Sequence, residues 1–151
     1  MALVALKSSI NVFSPAEKPV EYTPLHTDEV IKADGKLDDA IWRKAKSIQL
    51  NYQVEPFQGN EASFKTEVKV VYNHQYLYVG AILYDTIGRN NFRAPNLKRD
   101  YEFEENHLFG IAMDGFQDKR NARVLQSNAY GAQRDLLSFD DLAYDVDWDG
   151  L

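Results

Sequence analysis

The sequence predicts a mostly β fold, an antiparallel β-sandwich of the jelly-roll kind, with one short helix near its N-terminus. Three observations support this prediction. Several segments alternate apolar and polar residues, as strands with one buried face do. A single early segment has helical spacing instead. The chain also contains nine Tyr, eight Phe and two Trp, and aromatic residues are enriched in strands. Strands in series with one helix are typical of a sandwich.

Residues 1–28 are predicted to form an extended or disordered leader, and residues 29–151 to form the β-sandwich domain. The leader has no hydrophobic period, and Pro15, Pro19 and Pro24 interrupt any helix in it. With 151 residues, the chain has the length of one domain and can bury a core without disulfides or metals.

A short helix is predicted over residues 36–45, after a strand at residues 30–33 and a turn at residues 34–35. Acidic residues lie near the beginning of this helix and basic residues near its end, as the helix dipole favours. Four apolar residues share one face at helical spacing: Leu37, Ile41, Trp42 and Ala45. Trp42 is interpreted as a core residue, with a ligand platform as the alternative.

Two strands joined by a tight turn form the clearest hairpin in the sequence. Over residues 66–73 apolar and charged residues alternate, so that one face carries Val68, Val70 and Tyr72. A turn follows at residues 73–75. Alternation resumes over residues 76–85, where one face carries Leu77, Val79, Ala81 and Leu83. The pattern therefore predicts two antiparallel strands with a shared apolar face.

The second half of the chain continues as strands. After a long polar connection at residues 86–105, three are predicted: residues 107–114, 123–129 and 133–139. Long connections in compact domains are often functional. Residues 147–151 are interpreted as the beginning of another strand. Because an open sandwich would expose a sheet edge, we expect the domain to continue beyond Leu151, or a partner to supply the missing strands.

The composition excludes several classes of function. The net charge is −6, and residues 135–151 hold six aspartates and no Lys or Arg, which leaves 17 acidic and 17 basic residues before them. A neutral body with an acidic tail argues against nucleic acids and anionic membrane surfaces as partners. The longest early apolar run, residues 2–6, is too short for a membrane span or a signal-peptide core. The absence of cysteine excludes disulfides, thiol nucleophiles and Cys-type zinc sites.

Common catalytic signatures are absent from the sequence, which predicts that the chain is not an enzyme. It contains no GxSxG, GxGxxG, P-loop or HExxH motif. Its three histidines, His26, His74 and His107, fall in the leader, a turn and the start of a strand, and no two are spaced as a metal-binding pair. Adjacent acidic residues on a strand point to opposite faces, so they do not indicate the facing carboxyls of a glycosidase.

Two acidic segments are candidate calcium sites. Asp145, Asp147 and Asp149 lie in the pattern D-x-D-x-D-G, which is the first half of an EF-hand loop with its alternating oxygen ligands. The other interpretation is a solvated acidic approach to a strand. A second oxygen-rich segment consists of Asp114, Asp118 and Asn121. Ordinary turn chemistry explains this segment equally well.

A polar and aromatic group of residues is the candidate ligand-binding face. Sugars are bound by stacking on aromatic rings and by polar side chains that contact hydroxyls. Tyr101 and Phe103 provide two aromatics in a charged loop, and Gln126 and Asn128 share one face of a strand. Asn106 lies close to both segments if the strands pair. Ordinary solvent-exposed surface is the alternative interpretation of these residue types.

The order of the segments resembles that of the family 9 carbohydrate-binding modules. The resemblance covers about residues 30–151 and is carried by residues 31–42 (IKADGKLDDAIW), 68–72, 76–79 and 109–114. More narrowly, the chain is similar to the domain at the N-terminus of a group of large bacterial envelope proteins. Four short motifs carry that second similarity: residues 99–100 (RD), 109–111 (FGI), 118–121 (DKRN) and 147–150 (DWDG).

The resemblance implies a β-sandwich that binds sugar without catalysis and often holds calcium. In members linked to xylanases, two tryptophans clamp the sugar, and the first falls where this sequence has Tyr101 and Phe103. Polar contacts come from positions that match Gln126 and Asn128, whereas an acidic contact corresponds to Gly110 here. The second tryptophan falls after the last residue of this chain.

Taken with the resemblance, the sequence predicts a non-catalytic module that binds poly- or oligosaccharide for a larger secreted or cell-envelope protein, with calcium as a candidate cofactor. The alternative is a structural or interaction module that binds no sugar. Such a module would dock through an open sheet edge onto the rest of the larger protein or onto a second copy of itself.

Overall fold

The computed structural model describes residues 21–86, 88, 92–95, 97–140 and 143–150. The chain divides into two compact units, Met1–Thr86 and Ile87–Leu151. Strands dominate both units, and each unit contains one four-stranded sheet with mainly antiparallel pairing. The predicted fold class, mostly β and antiparallel with one short helix, is confirmed. Among the described residues, no helix is long and apolar enough to cross a membrane.

The first unit is built on one long central strand. Its elements are β1 (Leu25–His26), α1 (Ala40–Lys44), β2 (Ile48–Tyr52), β3 (Glu61–Tyr72) and β4 (Leu77–Leu83). β4 pairs with β3 along one edge, antiparallel. The opposite edge of β3 is shared, because β2 pairs antiparallel with its first part and β1 pairs parallel with its last two residues.

Tyr22 fills the gap between β1 and β2 on that shared edge. Its side chain is buried. The hydroxyl donates a hydrogen bond to the carbonyl of Lys46 (2.7 Å) and accepts one from the backbone N–H of Val70 (3.2 Å). The bond to Val70 satisfies a backbone donor of β3 that neither β1 nor β2 reaches. Tyr22 and β1 thus belong to the first sheet, while residues 1–20 of the leader predicted for residues 1–28 lie outside the described residues.

The helix closes the core of this unit over β3. Its core cluster consists of Ile31, Ile41, Trp42, Ala45 and Val71, with Leu37 and Tyr78 packed alongside. The prediction that Trp42 is a core residue is confirmed, since only 4% of its surface is exposed. Gly80 allows the helix layer to approach the sheet, because a Cβ there would lie 2.7 Å from Leu37 Cδ2.

The helix is shorter than predicted, and the strand predicted at residues 30–33 is absent. Asp34 Oδ1 accepts a hydrogen bond from the N–H of Lys36, and Gly35 has a φ of +78°. This side-chain turn competes with the helix and delays its beginning to Ala40. Ile31 reaches the core from irregular backbone, whereas Val30 is 87% exposed.

The predicted hairpin is confirmed as β3 and β4. Asn73 Oδ1 accepts hydrogen bonds from the N–H groups of Gln75 and Tyr76, which tightens the turn between the two strands. The register places Val70 opposite Val79 and Lys69 opposite Gly80. The apolar face predicted for both strands is therefore a shared face. On the other face, the ammonium of Lys69 donates to the carbonyl of Trp42 (2.8 Å).

The second unit is an antiparallel meander. Its strands are β5 (Leu108–Met113), β6 (Asn121–Asn128), β7 (Gln133–Phe139) and β8 (Ala143–Asp145), and a 3-10 turn at Phe103–Glu105 precedes them. The sheet order follows the chain order. β5, β6 and β7 confirm the three strands predicted in this half of the chain. The short strands β1, β2 and β8 were not predicted.

A buried carboxylate joins the ends of the second unit. Asp135 on β7 is fully buried. It accepts hydrogen bonds from the guanidinium of Arg99 (2.6 Å) and from the backbone N–H of Gly150 (2.6 Å). Arg99 also forms ion pairs with Asp149 (2.6 Å) and Asp100 (3.3 Å). The connection before β5 and the segment after β8 are thereby both attached to the middle of the sheet.

Candidate functional site

The sheet of the second unit brings together one row of side chains from three strands. The register places Gly110 of β5 opposite Gln126 of β6, and Gln126 opposite Arg134 of β7. Paired residues of an antiparallel sheet point to the same face. We call the side of the sheet that carries Gly110, Gln126 and Arg134 the Gln126 face.

The hydrogen bond between Gln126 and Arg134 fixes the orientation of both side chains. Arg134 Nη1 donates to Gln126 Oε1 (2.8 Å). With its oxygen engaged in this way, the Gln126 amide nitrogen offers its N–H groups to other acceptors. The Gln126 side chain extends over Gly110, where a Cβ would lie 3.0 Å from Gln126 Cγ.

Phe103 flanks the row from the 3-10 turn. Its ring is 52% exposed. The guanidinium carbon of Arg134 lies 6.0 Å from the centre of that ring, within the range of a cation–π interaction. Arg134 therefore connects the exposed aromatic ring to the Gln126 amide. An aromatic surface, a cation and an amide donor meet at one place.

Tyr101 lies beneath the surface. Only 3% of it is exposed, and its hydroxyl makes no hydrogen bond within the part of the chain that the structure describes. Burial raises the pKa of this hydroxyl above its usual value, and the positive charge of Arg134 partly opposes that shift. Contact between this buried residue and a ligand therefore stays a prediction.

Asn128 is also buried and is engaged in holding the turn between β6 and β7. Its side-chain oxygen accepts hydrogen bonds from the N–H groups of Tyr130 and Ala132, both at 3.0 Å. Its nitrogen donates to Asn106 Oδ1 (3.1 Å). Asn106 in turn donates to the carbonyl of Glu102, next to the 3-10 turn. Asn128 therefore positions the segment that carries Phe103, and its contact with a ligand stays a prediction.

The structure thus divides the four predicted ligand residues into two kinds. Phe103 and Gln126 reach the surface, whereas Tyr101 and Asn128 are buried next to them. Sequence reasoning missed Arg134. Its place opposite Gln126 follows from the length of the turn between β6 and β7, and the sequence does not give the two residues a common local pattern.

The first candidate calcium segment is exposed, and two of its three carboxylates, those of Asp145 and Asp149, accept hydrogen bonds from the protein. Asp145 Oδ1 accepts a hydrogen bond from the N–H of Asp147 (3.1 Å), and Asp149 pairs with Arg99. Within the described ranges, ligand atoms of three acidic or histidine side chains come within 4.8 Å of one another only in a different group, His26, Asp28 and His74. The three aspartates are thus not gathered around one point, and calcium binding there stays a prediction.

The second candidate calcium segment forms a hydrogen-bonded turn between β5 and β6. Asp114 accepts hydrogen bonds from the backbone N–H groups of Phe116, Asp118 and Lys119. Asp118 accepts from Asn121 Nδ2 and from two backbone N–H groups. These bonds lower the pKa of the Asp118 carboxyl, the Asn121 side chain contributing most. The segment therefore forms an ordinary turn held by side-chain hydrogen bonds, and calcium binding at these residues stays a prediction.

Two open depressions occur in the first unit, and neither is lined by the predicted ligand residues. One, of about 330 Å³, lies along β2 and β3 and is lined by residues that include Tyr52 and Phe64. The other, of about 350 Å³, lies beside the helix and includes Leu37 and Trp42.

Comparison with known proteins gives one match. The family model described as "Carbohydrate family 9 binding domain-like" matches residues 33–123. This range covers more than half of the chain and includes Phe103, Gly110 and the first residues of β6. No curated protein and no solved structure matches the chain.

Proposed function

Because the chain belongs to the carbohydrate family 9 binding domain-like family, we propose that it binds poly- or oligosaccharide through the Gln126 face. It acts as a non-catalytic module of a larger protein that is secreted or part of the cell envelope. The observation that carries this proposal is the continuous set of Phe103, Arg134 and Gln126, an exposed ring joined to two polar side chains.

The chemistry of the set fits a sugar ring. Phe103 offers an apolar surface on which the C–H face of a pyranose can stack. Arg134 and Gln126 donate hydrogen bonds that suit hydroxyl oxygens. Gly110 leaves room for the Gln126 side chain to extend over β5, so that its amide is presented to a sugar that lies across this strand. A few fixed polar groups beside an apolar surface are what recognition of a neutral polar ligand requires.

The absence of catalysis is part of the proposal. Glycoside hydrolysis requires two carboxyl groups that face each other across the scissile bond. The three strand positions that form the row carry a glycine, an amide and a guanidinium instead. Carbohydrate-binding module families are also generally non-catalytic.

Isothermal titration calorimetry with cello-, xylo- and manno-oligosaccharides tests the proposal. We expect saturable heat with at least one of the series and about a tenfold weaker affinity for Gln126→Ala, since a hydrogen bond contributes about 0.5–1.5 kcal/mol and tenfold corresponds to about 1.4 kcal/mol. Gln133→Ala is the matched control, because Gln133 is exposed on β7 and, next to Arg134 in the strand, points to the opposite face. Heat of dilution alone for every sugar would remove the proposal.

A second function is favoured by the free edge of β4. Within the described residues β4 pairs only with β3, and Leu77 and Leu83 at its ends are 51% and 49% exposed. An unpaired edge strand is a surface onto which another strand can add. The partner would be the rest of the larger protein or a second copy of this chain. Light scattering after size exclusion tests the second copy, and a monomer at all concentrations would count against it.

A further inference from the structure

Two histidines that are distant in sequence meet at the end of the first sheet. β1 pairs in parallel with β3, and the register places His26 opposite Tyr72. His74 follows Tyr72 by two residues, just as Asp28 follows His26. His74 lies in the turn directly after β3, and Asp28 lies directly after β1, so both residues are at the same end of the sheet as His26. The parallel pairing of β1 is therefore the cause of the cluster.

The ligand atoms of the cluster are already close. The imidazole centres of His26 and His74 are 5.5 Å apart, and His26 Nε2 lies 3.9 Å from Asp28 Oδ1. One ligand atom from each of His26, Asp28 and His74 lies within 4.8 Å of the other two. Two ligands of a tetrahedral zinc ion are about 3.3 Å apart, given bonds of about 2.0–2.1 Å. Side-chain rotations that bring these atoms about 1.5 Å closer together would therefore place the three atoms around one ion.

Hydrogen bonds hold the backbone on both sides of the cluster. The N–H of Thr27 donates to the carbonyl of Tyr72 (2.9 Å). Thr27 is buried, and its hydroxyl accepts a hydrogen bond from the N–H of Glu29 (3.0 Å). The ring of Tyr72 lies edge-on to the His26 imidazole, with centres 5.1 Å apart. The segment that carries His26 and Asp28 is thus fixed relative to the end of β3.

We propose that His26, Asp28 and His74 form a binding site for a divalent transition-metal ion, with Zn²⁺ as the best match. Two imidazoles and one carboxylate are a donor set that zinc accepts, whereas calcium takes oxygen ligands almost alone. All three residues are exposed, so an ion can enter from solvent and water can supply the fourth ligand. The ion attaches the chain before the helix to the turn between β3 and β4.

Titration of the whole chain with Zn²⁺ alone, followed by a competing chromogenic chelator, tests the site. We expect one ion per chain at micromolar concentration, and at least tenfold weaker binding for His74→Gln and for His26→Gln. His107→Gln is the matched control, because His107 lies outside the cluster and should leave the affinity unchanged. Since His26 and His74 are exposed, both variants should keep the wild-type circular dichroism spectrum, which is recorded alongside.

Replacement of Zn²⁺ by Co²⁺ gives an independent measurement. A site with two imidazoles and a carboxylate should produce visible absorption bands of tetrahedral or five-coordinate Co²⁺, and His74→Gln should abolish them. Ca²⁺ added in excess should not displace either ion. Binding that is unchanged in both His26→Gln and His74→Gln, or no binding of Zn²⁺ below millimolar concentration, would overturn the proposal.

Discussion

Replacement of the buried carboxylate by its amide, Asp135→Asn, should destabilise the second unit while leaving its shape intact. The carboxylate accepts one hydrogen bond from Arg99 and one from the N–H of Gly150, both at 2.6 Å. An asparagine can keep one of these bonds with its oxygen, but its NH₂ group then faces a donor. The substitution also removes the negative charge that faces the guanidinium.

The burial of Asp135 and the remaining partners of Arg99 determine how much unfolding free energy is lost. Removing one partner of a buried ion pair costs about 3–5 kcal/mol. Arg99 is 35% exposed and keeps its ion pairs with Asp149 and Asp100, so its charge is not left unpaired. We therefore expect a loss of about 2–3 kcal/mol, the cost of roughly one charge-assisted hydrogen bond. For a chain of this size that loss lowers the melting temperature by about 4–12 °C.

Urea unfolding followed by tryptophan fluorescence measures this loss, because Trp148 lies two residues before Gly150 and reports on the segment that Asp135 holds. The matched control is Asp140→Asn. Asp140 pairs with Arg120 at 2.7 Å, but both side chains are more than half exposed, and exposed pairs contribute about 0–1 kcal/mol. Equal free energies of unfolding for the two variants would show that the buried Asp135 carboxylate contributes no more to stability than an exposed ion pair does.

Two further predictions concern the removal of a buried tyrosine hydroxyl group. Tyr22→Phe removes the hydrogen bonds to Lys46 and Val70. Since buried backbone groups are then left unsatisfied, the free energy of unfolding should fall by about 1–3 kcal/mol. Thermal unfolding measures this loss, and a variant as stable as the wild type would contradict the prediction. Tyr101→Phe should be neutral or stabilising at pH 7, because the buried hydroxyl makes no hydrogen bond among the described residues. The raised pKa of Tyr101 means that above about pH 10 the unfolded chain releases a proton that the folded chain keeps, so wild-type stability falls with rising pH. Unfolding curves on both sides of pH 10 should show the stability of Tyr101→Phe increasing relative to wild type, and a difference independent of pH would exclude this reasoning.

The elements that the sequence predicts well are those that local alternation specifies. Val68, Val70 and their partners on β4 form a hairpin whose pattern and turn are contained in a short stretch of chain. The helix begins later than its apolar period indicates, because the side chain of Asp34 satisfies a backbone N–H and stabilises a turn. β1 has two residues and pairs in parallel with a strand far along the chain. No local pattern predicts such a pairing.

In the candidate site, too, local alternation predicts only part of the arrangement. Alternation correctly places Gln126 and Asn128 on one face of β6, as the register with β5 confirms. It does not show that Asn128 is buried and engaged by the following turn, since that depends on the conformation of residues 129–132. Arg134 joins Gln126 through the same turn. The cluster of His26 and His74 depends on the parallel pairing of β1, which is why histidine spacing in the sequence did not indicate it.

The proposed function depends most directly on where a sugar contacts the chain. Two-dimensional ¹⁵N NMR of the labelled chain, recorded while the oligosaccharide with the largest calorimetric heat is added, gives that location. Saturable shifts should concentrate on the Gln126 side-chain amide, the Arg134 Nε–H and the backbone around Phe103. Shifts confined to the depression along β2 and β3, or no shifts at a saturating sugar concentration, would contradict the central claim.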